Sequence, residues 1–286
     1  MENDSQDDEM EAVKALMRAL ITESSVAPLI GELSPLLGVG KMLRGRLVLA
    51  VGNASGVAET DRITCAAVIE LSHLATLLHD DVLDNGALRR GNPAFWVAKG
   101  ASAAILMGDY LLCRALKMMT NFGDNRLTGT LVDMLQMVCD AELEQEMLLC
   151  DEDDWEQCLS VARRKTGSLF AFAATACAGA NVALAPILFV SGFDLGTAYQ
   201  LADDLLDARG DADSSDKTLG QDARREKLTA ATFGDDAAVD PIAKIEELLK
   251  RAEARLADWP LVQEAWSCYT ATYFKPVVSL FTAVGA

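Results

Sequence analysis

Two short acidic segments of this 286-residue chain have residue types and spacing that could do chemistry. The first reads HDDVLD over residues 79–84, and the second reads ADDLLD over residues 202–207. Each is a DDxxD pattern that follows a largely apolar stretch, and helical spacing puts its first and last aspartates on one face, one turn apart. Two converging pairs of carboxylates would form an oxygen-rich site for a hard cation such as Mg²⁺.

A solvated helix end is the alternative interpretation of either pattern, since surface acids are common. Both patterns, however, end apolar helical stretches, where the helix dipole favours cations over acids. Carboxylates buried near one another repel, so the pair requires a metal ion or other cations. The occurrence of two copies therefore favours metal binding.

Basic side chains lie near both acidic segments and suggest what a bound metal would hold. They are Lys41, Arg44, Arg89, Arg90, Lys165, Lys217 and Lys227. Any one of them alone would be a solvated surface charge. As a group, beside carboxylates and Mg²⁺, they favour phosphate ligands, because Arg forks bind phosphate oxygens and the metal bridges them.

Composition excludes several other classes of protein. The 43 Asp+Glu outnumber the 25 Lys+Arg, and the formal net charge of −18 argues against a nucleic-acid binder or a polybasic membrane-surface protein. Seven cysteines without a CxxC pair, and only two histidines, argue against a zinc site and a disulfide framework. The 51% hydrophobic content indicates a large core.

The elements that position these residues are predicted to be helices, because helix-forming residues dominate and β-branched runs are few. We expect an acidic disordered tail over residues 1–11 and a single all-α domain over residues 12–286, a bundle of about ten or more helices. The apolar pattern predicts helices over 43–58, 62–79, 101–120, 127–149, 152–179, 195–208, 240–257 and 261–283.

Residues 166–193 carry no charge, and this stretch is long enough to span a bilayer. Gly179, Asn181 and Pro186 near its middle predict instead two packed helices that meet at a turn. We therefore expect no transmembrane span. The acidic N-terminal sequence has no basic region followed by an apolar one, which predicts a cytoplasmic protein.

The chain resembles the trans-isoprenyl diphosphate synthases, the all-α polyprenyl synthetase family. The resemblance runs from about Gly38 to Thr229, in the segments GVGKMLRGR, HLATLLHDDVLDNGALRRGNP, MGDYLLCRA, RRKTGSLF, YQLADDLLD and DKTLGQDARREKLT. The front half is most similar to octaprenyl-type, long-chain members. The resemblance implies the isoprenoid synthase type I fold, helices around a central elongated cavity, and a homodimer. It also implies Mg²⁺-dependent condensation of isopentenyl diphosphate with an allylic diphosphate, which forms a medium- or long-chain polyprenyl diphosphate and releases diphosphate.

The resemblance further implies roles for individual residues. Two or three Mg²⁺ ions would be bound by Asp80, Asp84 and Asp203, supported by Asp81, Asp204 and Asp207; these six aspartates, Lys165 and Lys217 form the expected catalytic set. The allylic diphosphate would be held by Arg89, Lys165, Thr166, Gln200, Lys217 and Lys227. Isopentenyl diphosphate would be held by Lys41, Arg44, His73 and Arg90. The small side chains of Ala75 and Ser72 would leave room for a long product, and His79 is expected to be structural.

Some features depart from the family pattern, and other functions are open. Gly45 stands where the family usually has Pro, and the stretch after Thr229 is short for a long-chain member. A short-chain (farnesyl or geranylgeranyl) synthase is the main alternative. A class I terpene cyclase would normally replace the second DDxxD with an Asn/Ser/Glu motif, and a non-catalytic subunit would be expected to lose Asp or Arg residues from the motifs.

Overall fold

The computed structural model describes residues 2–31, 40–89, 91–147, 154–209, 230 and 239–274. Helices make up most of this part of the chain, which confirms the expected all-α class. In chain order they are α1 (Glu2–Thr22), α2 (Ala27–Ile30), α3 (Leu43–Ala54), α4 (Glu59–Leu83), α5 (Phe95–Lys99), α6 (Ala101–Phe122), α7 (Asn125–Met147), α8 (Trp155–Ala162), α9 (Ser168–Ala176), α10 (Ala185–Arg209), α11 (Pro241–Ala254) and α12 (Pro260–Tyr273). A five-residue π-helical turn, Arg163–Gly167, joins α8 to α9.

Helix α4 lies at the centre of the bundle and packs against α1, α3, α6 and α9. Its middle is apolar on nearly every face, and Ala67, Ile69 and Leu71 are completely buried. The acids in its first turn, Glu59 and Asp61, stabilise the helix because they lie at the positive end of the helix dipole. The helix thus carries the first acidic segment from the core to one end of the bundle.

Helices α9 and α10 approach each other closely because glycines face the contact. A Cβ on Gly192 would lie 2.6 Å from the carbonyl oxygen of Phe170, and a Cβ on Gly196 would lie 2.7 Å from the Cα of Gly167. No larger residue fits at either position without moving backbone. This contact sets the π-helical turn beside the part of α10 that carries the second acidic segment.

The uncharged stretch forms two helices, α9 and α10, as the turn residues predict. Gly179 has a left-handed φ of +51°, and Asn181 accepts backbone N–H donors at the start of the next helix. Helix α10 begins at Ala185, ten residues earlier than expected, because Pro186 is tolerated in a first helical turn. Among the described helices, none is both long and apolar enough to cross a membrane.

The N-terminal helix begins at Glu2, where the acidic composition predicted a disordered tail through Glu11. Met10 is 1% exposed in the core, and the Glu9 carboxylate forms a buried ion pair with Arg62 of α4. Arg62 thus donates to three oxygens, the two of the Glu9 carboxylate and the carbonyl of Val57. The acidic composition of this segment gave no sign that one of its acids, Glu9, has a buried partner 53 residues along the chain.

A two-residue antiparallel ladder follows the first acidic segment and was not predicted. Strand β1 (Leu88–Arg89) pairs with β2 (Asn92–Pro93), and Arg89 is opposite Asn92. Gly91 in the connection has a left-handed φ of +74°, which glycine adopts without strain. The ladder returns Arg89 toward the end of α4.

Candidate functional site

One cavity lies between α4 and α10, at the end of the bundle where both acidic segments are found. Asp80 lines it from α4, and Asp203, Asp204 and Asp207 line it from α10. Seven more residues expected from the resemblance line the same cavity: Lys41, Arg44, His73, Arg89, Lys165, Thr166 and Gln200. Positions up to 166 residues apart in the sequence are thus brought to one site, as the resemblance implies.

Three expected residues, Arg90, Lys217 and Lys227, lie outside the described part of the chain. Four others are described but are not among the residues that line the cavity: Asp81, Asp84, Ala75 and Ser72. Ala75 and Ser72 are buried in the core, and the Ser72 hydroxyl donates to the Val68 carbonyl. The register of α4 explains this, because Asp80, Thr76 and His73 occupy one face and Ala75 and Ser72 another.

The second aspartate of the first acidic segment binds an arginine. Arg89 Nε lies 2.8 and 2.9 Å from the two carboxylate oxygens of Asp81, and Arg89 Nη2 donates to Oδ1 at 2.6 Å. Asp81 is nearly buried, with 6% of its side chain exposed. Asp81 therefore contacts Arg89, which lines the cavity, and is not itself among the lining residues.

Asp84 is the C-cap of α4, where its backbone N–H donates to the Asp80 carbonyl at 2.7 Å. The helix ends here, so the prediction of a DDxxD pattern at a helix C-terminus is confirmed for the first segment. The second segment lies in the last two turns of α10, whose described residues end at Arg209, so the prediction is confirmed for this segment as well.

Asp204 is buried and joins three parts of the site. Its Oδ1 accepts from Gln200 Nε2 at 2.6 Å, and its Oδ2 accepts from the backbone N–H of Ala230 at 3.0 Å. Gln200 Oε1 in turn accepts from the Thr166 hydroxyl. This chain of hydrogen bonds connects the π-helical turn to α10. Asp203, one residue earlier than Asp204, also lines the cavity.

Lys165 lies in the π-helical turn, where a regular helix interior was expected. Its Nζ is 2.6 Å from Glu142 of α7 and donates to Gln145 Oε1 at 3.2 Å. Single π-helical turns occur often at functional sites, because the extra residue redirects the side chains around it. Glu142 also lines the cavity and was not singled out from the sequence.

Lys41 and Arg44 flank the start of α3. Met42 between them has a left-handed backbone, with φ 47° and ψ 46°, which is uncommon for a residue other than glycine. Arg46 Nε donates to the Lys41 carbonyl at 3.1 Å, and the Tyr269 hydroxyl donates to the Leu43 carbonyl at 2.7 Å. These contacts fix a strained turn that directs two basic residues to one cavity.

Arg44 is buried, with its guanidinium 4.7 Å from the centroid of the Phe170 ring. Burial lowers the pKa of Arg44, and the negative charge of Glu70 opposes that effect. The sequence does not predict that Glu70 belongs to this site, because a single acid in an apolar helix has no pattern that distinguishes it from other buried polar residues.

His79 packs on α6 and does not line the cavity. Its Nε2 lies 3.1 Å from the Ile105 carbonyl oxygen and 3.3 Å from Asp109, and its ring fills the space beside Gly108. The structural role expected for His79 agrees with this position.

The donor set fits magnesium bound together with an anionic ligand. Within the described residues, no three His, Cys, Asp or Glu side chains form a cluster that could hold an ion by themselves. Magnesium is usually bound by one or two carboxylates plus substrate phosphates. Asp80 on one wall and Asp203 and Asp207 on the other provide such carboxylates.

A helical bundle with acidic segments of two helices facing one cavity is the architecture of the isoprenoid synthase type I fold. The polyprenyl synthetase family model matches residues 33–260, and the chain belongs to that family. Solved structures agree. A polyprenyl synthase from Caulobacter crescentus, complexed with calcium and isoprenyl diphosphate, matches with a TM-score of 0.82 and 26% identity over 96% of this chain and 95% of that one. A decaprenyl diphosphate synthase from Rhodobacter capsulatus matches with a TM-score of 0.78 and 29% identity, over 96% and 97%.

Curated relatives show the same family. The octaprenyl diphosphate synthase of Escherichia coli is 36% identical over 197 residues, which cover 67% of this chain and 61% of the relative. The heptaprenyl diphosphate synthase component 2 of Geobacillus stearothermophilus is 30% identical over 272 residues, which cover 86% and 83%. The chain thus spans less than two thirds of the octaprenyl relative it matches.

Proposed function

We propose that this chain is a Mg²⁺-dependent prenyltransferase that condenses isopentenyl diphosphate head-to-tail with an allylic diphosphate. The products are a medium- or long-chain polyprenyl diphosphate and diphosphate. The observation that carries the proposal is that Asp80 and Asp203 face one cavity lined by Lys41, Arg44 and Lys165. That arrangement suits two diphosphates held side by side.

Two or three Mg²⁺ ions are proposed, with Asp80, Asp84 and Asp203 as ligands and Asp207 in support. When bound, Mg²⁺ would stabilise negative charge on the leaving diphosphate. Asp84 is the C-cap of α4, one helical turn after Asp80.

The allylic diphosphate is proposed to bind Arg89 and Lys165, with Thr166 and Gln200 as uncharged hydrogen-bonding partners. Asp81 orients the Arg89 fork, and Glu142 orients the Lys165 ammonium. Positive charge held in place beside the leaving oxygen favours ionisation of the allylic C–O bond. Lys217 and Lys227 are proposed to contribute from outside the described residues.

Isopentenyl diphosphate is proposed to bind Lys41, Arg44 and His73, with Arg90 from outside the described residues. Its double bond attacks the allylic cation, and a proton then leaves for the departing diphosphate. No separate general base is required by this route. The rigid turn around Met42 positions the two basic residues before the ligand arrives.

Apolar side chains around the inner part of the cavity would exclude water from the cation and accept the growing chain. They include Met17, Leu77, Val138 and Leu169, each from a different helix. The small Ala75 and Ser72 side chains are proposed to permit a long product. Several similar proteins are named for long products, including the octaprenyl and decaprenyl diphosphate synthases.

A homodimer is proposed, and two neighbouring helices support it. Val132, Leu143 and Met147 of α7 are exposed at helical spacing, and Ile105 and Leu106 are exposed on α6, which contacts α7. A row of exposed apolar side chains on adjoining helices is typical of a buried interface. Light scattering should give twice the chain mass, and Leu143→Arg should shift it toward the monomer.

A second candidate is one component of a heteromeric synthase. The observation favouring it is the similarity to the heptaprenyl diphosphate synthase component 2, which extends over 83% of that relative. Such a component would be inactive without its partner, so activity of the purified chain separates the two candidates.

The experiment incubates the purified chain with isopentenyl diphosphate, Mg²⁺ and, in turn, dimethylallyl, geranyl or farnesyl diphosphate. Mass spectrometry then sizes the products, with EDTA as the metal-free control. Chains longer than geranylgeranyl support the proposal, and a product that stops at farnesyl or geranylgeranyl favours the short-chain alternative. Cyclised hydrocarbons would indicate a terpene cyclase, and absence of any product would overturn the prenyltransferase assignment for the isolated chain.

A further inference from the structure

Glu70 places a carboxylate in the wall of the cavity, and the proposed reaction assigns it no role. It lies on α4, ten residues before Asp80, and only 6% of the residue is exposed. It lines the cavity beside Arg44. A buried carboxylate is costly unless hydrogen bonds and opposite charge compensate it, so its partners indicate what it does.

The Glu70 carboxylate caps a different helix. Its Oε1 accepts a hydrogen bond from the backbone N–H of Gly45 at 2.7 Å. Gly45 is the third residue of α3, and an N–H at that position has no partner within its own helix. Met42, the N-cap of α3, provides no side-chain cap. Glu70 therefore satisfies from α4 a donor that the sequence around α3 leaves unpaired.

This contact depends on glycine at position 45. A Cβ there would lie 3.1 Å from Glu70 Cγ and 3.3 Å from Glu70 Oε1, which is tighter than normal packing. Proline, the usual residue of the family at this position, would also remove the N–H. The departure from the family pattern at Gly45 thus creates both the donor and the space for the carboxylate.

Arg44, the residue before Gly45, depends on the same carboxylate. Its guanidinium is buried over the Phe170 ring, and its Nε has no hydrogen-bond partner among the described residues. Burial disfavours the charged guanidinium, and the Glu70 carboxylate is the charge that most opposes this effect. One side chain therefore holds the backbone next to Arg44 and compensates its charge.

We propose that Glu70 is a positioning residue for anion binding, which sets the first turn of α3 through Gly45 so that Arg44 faces the diphosphate of isopentenyl diphosphate. This inference rests on the proposed function for the identity of the ligand. Glu70 itself repels a diphosphate, so it acts through Arg44 and its neighbouring backbone. Loss of Glu70 should therefore weaken the binding of one substrate and leave the other substrate unaffected.

The test compares Glu70→Gln and Gly45→Ala with the wild type, using Glu9→Gln as the matched control. Glu9 is a second buried acid paired to an arginine of α4, away from the cavity. Glu70→Gln should raise the KM for isopentenyl diphosphate about tenfold and leave kcat and the KM for the allylic substrate within about threefold. Gly45→Ala should give the same pattern, and Glu9→Gln should leave all three constants unchanged.

A double-mutant cycle with Arg44→Ala separates positioning from a general structural effect. If Glu70 acts through Arg44, Glu70→Gln adds no further loss in the Arg44→Ala background. Additive losses, or equal effects of Glu70→Gln and Glu9→Gln, would overturn the inference.

A binding measurement keeps this result separate from the proposed reaction. Calorimetric titration of inorganic diphosphate in EDTA, without Mg²⁺, requires no turnover and leaves out the metal-dependent diphosphate site. Glu70→Gln and Arg44→Ala should weaken this binding equally and not additively. If the wild type forms no product and this coupling is still observed, the proposed function fails and the positioning role stands. If product forms and the coupling is absent, the positioning role fails alone.

Discussion

Asp81 binds Arg89 through three N–H···O contacts of 2.6 to 2.9 Å, so the second aspartate of the first acidic segment orients an arginine of the cavity wall. Both side chains are largely buried, and the fork of the guanidinium matches both carboxylate oxygens. Asp80, one residue earlier, lines the cavity itself. Adjacent acids in one motif thus have different surroundings, since Asp80 lines the cavity and Asp81 binds Arg89.

The first prediction follows from this pair. Asp81→Asn leaves one acceptor oxygen in place of two and removes the charge, so Arg89 loses its fixed orientation. We expect kcat/KM for the allylic substrate to fall about tenfold, or ~1.4 kcal/mol, a typical coupling for a charged pair in contact. The double variant with Arg89→Gln should be no worse than Arg89→Gln alone. Full additivity in steady-state kinetics would contradict a role through Arg89.

The second prediction concerns the close contact of α9 and α10. Gly192→Ala places a Cβ 2.6 Å from the Phe170 carbonyl oxygen and 2.7 Å from the Ala171 Cα, and both are backbone atoms that cannot rotate away. We expect the free energy of unfolding to fall by about 2 kcal/mol. Gly129→Ala is the matched control, since a Cβ there meets no atom within 4 Å in the described part of the chain. Denaturant unfolding in which both variants behave alike would contradict the packing described.

The third prediction concerns pH and Asp194 of α10, a buried carboxylate. Burial alone would raise the pKa of Asp194, but hydrogen bonds from Arg251 of α11 and from Arg255, the C-cap of α11, outweigh burial and hold that pKa below its usual value. A lowered folded-state pKa gives stability that is present above the unfolded pKa, about 3.9, and is lost as pH falls through the folded value.

Asp194→Asn should therefore cost about 3 kcal/mol of unfolding free energy at pH 7, because it leaves Arg163, Arg251 and Arg255 without their carboxylate. The difference in unfolding free energy between wild type and variant should become smaller below about pH 4, as the wild-type carboxyl takes up a proton. Urea titrations between pH 3 and pH 7 measure this difference in unfolding free energy. A difference that does not depend on pH would show that charge at Asp194 is not what stabilises the contact of α10 with α11.

The fourth prediction distinguishes two faces of α4. Thr76 lines the cavity, while Ala75 is 1% exposed and is not among the residues lining it. Thr76→Phe places a ring in the cavity and should shorten the product by at least one isoprene unit with little loss of stability. Ala75→Phe should shorten the product as well, because it removes the room proposed for a long product, and it should also lower stability by overpacking. Mass spectrometry of the products together with thermal unfolding tests both. A full-length product from Ala75→Phe would contradict the tunnel role proposed for Ala75.

Much of the helical framework could be predicted from sequence, because long apolar stretches with helical spacing determine the local structure by themselves. Helix α4 and the turn at Gly179 are examples, and both are local features. The presence of two DDxxD segments also predicts that Asp80 and Asp203 face the same cavity, as they do in the structure. Burial of Glu9 could not be predicted, since its partner Arg62 is 53 residues away.

The positions missed within the site share one property, which is that their role depends on a distant partner. Glu142 pairs with Lys165 across two helices, and Glu70 caps a helix through a glycine that a family pattern would fill with proline. The π-helical turn at Lys165 likewise has no composition that distinguishes it from a regular helix. Only the packed structure reveals which atoms these side chains meet.

Release of inorganic diphosphate from isopentenyl and allylic diphosphates, with Mg²⁺, by the wild type and by Asp80→Asn and Asp203→Asn tests the proposed catalytic site directly. We expect the wild type to release one diphosphate per bond formed, and each variant to lose at least about a hundredfold in rate, because each removes a carboxylate from one wall of the cavity. Asp140→Asn, an exposed acid of α7, is the control and should keep wild-type turnover. Near-normal release by both site variants would contradict the central claim that the two acidic segments form one catalytic site.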